Sequence, residues 1–181
     1  MEQTLYNRIA QSTAHRKSRD DNAAFVLRHG LGNELISLAL DTADKNHFKA
    51  CWTLELVLEQ NLDLLKPRLS EFCDNLLRWK NDSALRSISK ICMFCVKRLR
   101  QVPDFLTEKQ ILQITEACFQ WVISDEKVAA KAYAIFTLFE TGKKLDWVYP
   151  ELVPVLQHGF PDHSPAYQSV ARKVLGKIMI L

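Results

Sequence analysis

Cys92 and Cys95 are the first residues whose spacing could do chemistry, since a CxxC pair supplies half of a tetrahedral zinc site or a dithiol redox centre. A closed zinc site needs two further ligands. There is no second CxxC, and the nearest histidines that come as a pair, His158 and His163, lie far along the chain. Redox use asks for a strand leading into the motif, whereas the residues around Cys92 repeat at helical spacing. The pair therefore reads as two thiols packed in a core, with no metal and no cofactor implied.

A second arrangement surrounds the cysteines. Residues 84–101 contain no Asp or Glu, and Arg86, Lys90, Lys97 and Arg100 project within an arc of about 80° by helical rotation. Met93 falls inside this arc and Phe94 at its edge, while Ile88, Cys95 and Leu99 lie opposite. A ridge of one charge sign with apolar interruptions suits an acidic protein or peptide segment, or a phosphate backbone. The plainer alternative is a solvated face whose apolar members pack on a neighbour. Exposed charges contribute little to folding, so reversing Arg86 and Lys97 is expected to change binding and leave stability alone.

A third arrangement places Trp121 and Asp125 four residues apart, close to Lys127 and Lys131. It is similar to the aromatic and carboxylate usage of the HEAT-like alkylpurine DNA glycosylases, and the resemblance implies a nucleic-acid site at Trp121, Asp125 and Lys131. The same residues read more simply as a core anchor and a helix cap. Lys143, Lys144, Arg172 and Lys173 add positive charge, but a net +3 is modest for a duplex binder. No strand-turn-helix elbow presents a Ser/His/Asp set, and no glycine-rich phosphate loop is present. Short helical bacterial proteins similar to this one sometimes carry the name adenylosuccinate lyase. That family needs a longer helical chain with a Ser-Ser loop and a Met-Pro-x-Lys motif, so its activity is not expected here.

These residues must be positioned by helices. A chain of 181 residues suits one domain, 1–181, and 48% hydrophobic with 25% charged residues describes a globular protein. No signal-like apolar core opens the chain and no stretch is long enough to span a membrane. Together with an odd count of five cysteines, this leads to the expectation of a reducing cytoplasm.

Residues 2–17 read as a weak helix or loosely ordered arm. A cap at Ser18–Asp21 leads a helix that stops at His29 and Gly30, and Asn33 starts a short amphipathic one. Apolar periodicity then predicts helices near 47–60, 66–79, 83–101, 107–123, 126–141 and 165–178, and a proline-started helix follows Trp147. Pro67 should open the second of these, Asp82 and Ser83 the third, and a Thr107/Gln110 capping box the fourth. In 126–141, Ala132, Ile135, Phe136 and Phe139 should be buried and Lys131 exposed at its charged end, with Asp125 as N-cap and Gly142 as a left-handed stop. Strand alternation is absent.

Unit starts near His47, Ala84, Lys127 and Pro165 are spaced by about 37, 43 and 38 residues, against roughly 40–47 for HEAT/armadillo repeats. Each first helix follows an Asp: Asp44, Asp82, Asp125 or Asp162. The pattern in 125–178 resembles those repeats. The resemblance implies an all-α fold, a HEAT-like right-handed array of antiparallel helix pairs, and an interaction module or scaffold for a protein or peptide partner. Nucleic-acid binding is the alternative.

Overall fold

The computed structural model describes residues 4–159 and 164–180. Ten α-helices carry the fold, and no strand occurs among the described residues. They form two compact units, 1–91 and 92–181, and the division falls inside one helix.

The first unit holds α1 (Leu5–Ala10), α2 (Arg16–His29), α3 (Gly32–Leu40), α4 (His47–Gln60) and α5 (Leu69–Asp74). α4 is its centre. Residues from Ala50 to Leu58 are buried on nearly all sides, including Thr53 and Glu55, because α1, α2 and α3 all pack on it. α1 is no loose arm. Leu5 and Ile9 are buried, and the Arg8 guanidinium lies 4.2 Å from the centroid of the Phe25 ring. α2 begins before Ser18, whose Oγ accepts instead from the Thr13 N–H at 3.1 Å. Gly30 takes a left-handed φ of 66° and closes α2 as expected.

The helix expected over 66–79 is broken into a 3-10 segment Leu62–Arg68, α5, and a 3-10 turn Leu76–Arg78. Pro67 lies within the first segment and has no N–H to give a regular helix. The apolar spacing still works, because residues three apart align in a 3-10 turn nearly as they do in an α-helix. Leu65, Leu69, Phe72, Leu76 and Trp79 are all buried, and the Trp79 indole N–H donates to the Ala39 carbonyl at 3.0 Å.

α6 (Asp82–Arg98) starts under Asn81, whose side-chain oxygen accepts from the backbone N–H groups of Ser83 and Ala84. Asn81 therefore supplies the cap assigned to Asp82 and Ser83. The second unit continues with α7 (Glu108–Ile123), α8 (Val128–Thr141), α9 (Val148–Gly159) and α10 (Pro165–Ile178). The Thr107/Gln110 capping box forms in full at α7, and Ser164 caps α10 ahead of Pro165. Asp162, the cap assigned to this last helix, lies outside the described residues, as does His163.

α8 is the centre of this unit, with α7, α9 and α10 against it. Its buried arc passes through Lys131, Ala134, Leu138 and Thr141, not through Ala132 and Phe136, which are half-buried. Ile135 and Phe139 are buried as expected. Lys131 departs from the expectation in that the residue is only 4% exposed, although its ammonium is not shut off from solvent. Two further details differ. The N-cap of α8 is Lys127, and no side-chain capping bond is made there, so Asp125 does not cap it. Gly142 has an ordinary right-handed φ of −62°. A Cβ there would sit 2.2 Å from the Tyr149 ring, so the glycine answers a close approach and not a left-handed turn.

Candidate functional site

The basic ridge is largely occupied by carboxylates of its own chain. Glu55 on α4 is 2% exposed at its side chain and accepts from Ser87 Oγ at 2.7 Å, Lys90 Nζ at 2.9 Å and Arg86 Nη1 at 3.2 Å. Lys90 also reaches Glu59 at 3.4 Å. Arg100 makes a two-pronged bond to Glu140 on α8, and Lys143 joins it at 3.0 Å. Burial is the largest single influence on Glu140 and would raise its pKa. The bonds from Arg100 and then Lys143 outweigh it and hold the carboxyl below the usual range. Met93 is buried and Phe94 half-buried, whereas Lys97 is exposed. Reversing Arg86 would thus set a carboxylate beside the buried Glu55, so it cannot be the stability-neutral change that its exposure alone suggested.

Cys92 and Cys95 are buried free thiols on α6, and no group of three or more His, Cys, Asp or Glu is arranged to hold a metal ion among the described residues. Burial, slightly offset by neighbouring hydrogen bonds, pushes the Cys51 and Cys118 thiols far up. None of these is a ready nucleophile.

The open surface lies elsewhere, beside α7 and α9. Leu112, Phe119 and Ile123 fall on one stripe of α7, turned away from buried Ile114, Cys118 and Trp121. Leu112 is 40% exposed, Ile123 63% and Trp147 41%. The Trp147 indole stacks on Phe119 with centroids 5.6 Å apart. Trp147 also stands between two hollows. One, of about 680 Å³, is lined by Leu112, Leu145, Lys109 and Lys144. The other, of about 390 Å³, is lined by Phe119, Ile123, Glu116 and Glu151. Sequence reasoning took Trp147 only as a helix start. The overlooked signal was that α7 carries more apolar residues than one buried stripe needs.

Ile123 and Glu151 also border a third cleft of about 650 Å³. Here the structure brings together two of the three residues grouped with the glycosylase-like pattern, Asp125 and Lys131, and adds Glu151, His158 and Tyr167. The third, Trp121, is buried at 3% exposure and lines none of these three hollows. An aromatic face next to a buried carboxylate is therefore not presented: the buried ionisable group is a lysine and Asp125 is exposed. Desolvation lowers the Lys131 pKa, opposed by Asp125 and Glu126. Burial raises that of Tyr167.

No helix among the described residues is long and apolar enough to cross a membrane. The chain matches no family model, no curated protein and no solved structure.

Proposed function

We propose that the chain is a non-catalytic interaction module, a HEAT-like right-handed array of antiparallel helix pairs, that binds a basic amphipathic helical segment of a protein partner. The observation that carries this reading is Trp147, a large aromatic left 41% exposed yet stacked on Phe119, with a hollow on each side. Anchors of this kind, at the centre of an apolar stripe, dominate helix-in-groove recognition. The stripe from Leu112 to Ile123 spans twelve residues of α7, eleven steps of about 1.5 Å or about 16 Å along the axis, which is three turns of a bound helix. Glu116 and Glu151 line the hollow on one side of Trp147 and favour basic residues of the partner at that end, while Lys109 and Lys144 line the other hollow. The docking of α10 on both α8 and α9 supports the paired-helix description of this unit, and the five buried free thiols fit a cytoplasmic setting.

The test is selection of peptides from a display library against the whole chain, followed by fluorescence titration. The expected winners are apolar sequences with flanking Lys or Arg that quench or shift Trp147 and are lost in both Trp147→Ala and Ile123→Glu. Winners that survive both substitutions would overturn the reading, as would acidic winners that need Lys97 in place of Trp147. A wild-type dimer that Trp147→Ala dissociates would also overturn it, since the face would then belong to a second copy.

A further inference from the structure

The cleft beside Lys131 has features that the peptide groove does not use. Lys131 is more than nine-tenths buried and lines a cavity of about 650 Å³, and it has no hydrogen bond or ion pair among the described residues. The stem is enclosed, while the ammonium itself reaches the cleft and is not shut off from solvent. The position disfavours its charge. Lys131 stands in the first turn and a half of α8, at a helix start that no side chain caps, where the macrodipole favours an anion and opposes a cation. Asp125 lines the same cleft and acts on Lys131 electrostatically, yet the two do not pair. A buried positive group and an exposed negative one thus share a cavity with a gap between them. The walls include Val122, Val155, Pro154 and Tyr167.

We infer that this cleft binds a small zwitterion with an apolar body, an apolar α-amino acid, whose carboxylate receives the Lys131 ammonium and whose own ammonium faces Asp125. The α-amino acid head group carries both charges on one carbon, so it bridges the two residues without either moving into an ion pair. Glu151, exposed at the rim, works in the same direction as Asp125 on the ligand's ammonium, and Glu126 adds to the negative side. Exposed His158 and buried Tyr167 also line the cleft. A plain organic anion would meet Asp125 and Glu151 uncompensated. A plain amine would leave Lys131 without an acceptor and add a like charge. The cavity lies within the 300–1,000 Å³ range of small-molecule sites, and its mix of apolar walls with a few convergent polar groups is the usual composition of such sites.

Three probes with one body separate these charges: L-phenylalanine, 3-phenylpropionate and phenethylamine, titrated into the full chain up to about 10 mM and followed by heteronuclear NMR shifts and thermal shift. The expected order is phenylalanine tightest, phenylpropionate weaker and phenethylamine without saturable binding. Lys131→Met should weaken phenylalanine at least tenfold while the chain stays folded, since no hydrogen bond or ion pair among the described residues is lost with the amine. Asp125→Asn should narrow the preference of phenylalanine over phenylpropionate to less than twofold. Trp147→Ala should leave all three unchanged, so failure of this inference and failure of the peptide groove are distinct results. Phenethylamine binding as well as phenylalanine would overturn the inference. So would full binding in Lys131→Met, or no saturable binding of any probe to the wild type.

Discussion

Glu55→Gln tests whether the basic ridge holds the first unit together. The wild-type carboxylate is 2% exposed and satisfied by Ser87, Lys90 and Arg86 at 2.7, 2.9 and 3.2 Å. Glutamine keeps the shape and one acceptor. Its oxygen can stay on Lys90 and its amide can donate to the Ser87 hydroxyl, which accepts as well as donates. Lys90, at 16% side-chain exposure, loses its ion pair and keeps a bond assisted only by its own charge, a difference of about 1–1.5 kcal/mol. Arg86 is 38% exposed and can turn to water, so its share is discounted to under about 1 kcal/mol. The sum is a loss of about 2 kcal/mol, which lowers a urea midpoint by about 1 M for a slope near 2 kcal/mol per M. Glu55→Leu should cost more, about 3–5 kcal/mol, because it leaves Lys90 and Ser87 facing an apolar group. Glu59→Gln is the control: Glu59 is 45% exposed and its 3.4 Å contact with Lys90 should contribute less than about 0.5 kcal/mol. The assay is urea denaturation read by tryptophan fluorescence with Trp121 and Trp147 replaced by Phe, so that Trp52 and Trp79 of the first unit give the signal. Equal midpoints for Glu55→Gln and Glu59→Gln would refute the reasoning and return Arg86 and Lys90 to the surface as free contact charges.

Two further outcomes follow from other parts of the chain. Gly142→Ala should destabilise by about 1–3 kcal/mol, because its Cβ displaces the Tyr149 ring and with it the 2.9 Å bond from the Tyr149 hydroxyl to the Phe139 carbonyl. In a Tyr149→Ala background the same change should be nearly neutral, since the φ of −62° suits alanine, and an equal loss in both backgrounds would contradict the steric account. Lys131→Met should raise stability at neutral pH by about 1 kcal/mol and remove a pH dependence. With the folded pKa below the ordinary 10.5, the native state holds fewer protons than the unfolded chain between the two values, so wild-type stability rises with pH through that window. A variant that keeps this rise would show that another group is responsible.

The helical class and several boundaries were legible because they depend on local physics. The 47–60 and 165–178 ranges agree with α4 and α10 to the residue, and the Thr107/Gln110 box needs only residues three apart. Gly30 was legible as a stop for the same reason. What failed depended on residues distant in sequence. Gly142 looked like any glycine after a helix, and only the return of Tyr149 shows why a side chain is excluded. Phe136 carries the right spacing for the core, yet α10 leaves it half-buried with Lys173 Nζ 5.7 Å from its ring centroid. Arg86, Lys90 and Arg100 form a ridge on a helical wheel, but a wheel does not show Glu55 or Glu140, which lie 31, 35 and 40 residues away.

Those ion pairs and the unpaired Lys131 differ in a way that separates structure from site. Glu55 and Glu140 are buried carboxylates whose acceptor positions are met by two or three donors each, so their charges are already spent within the fold. Lys131 is buried to a similar degree with none of its donors met among the described residues, in a cleft large enough for a ligand. A stability role predicts that substitution of the group harms folding, as it should for Glu55. A binding role predicts that substitution leaves folding intact or improves it while removing a ligand, as it should for Lys131. The same contrast applies to Trp147 and Trp79. Trp79 is buried and bonded to Ala39, whereas Trp147 is stacked on Phe119 but left open. Both residues border hollows of the second unit that adjoin through Ile123 and Glu151, so a substitution at either one can be read against the other in the same binding assays.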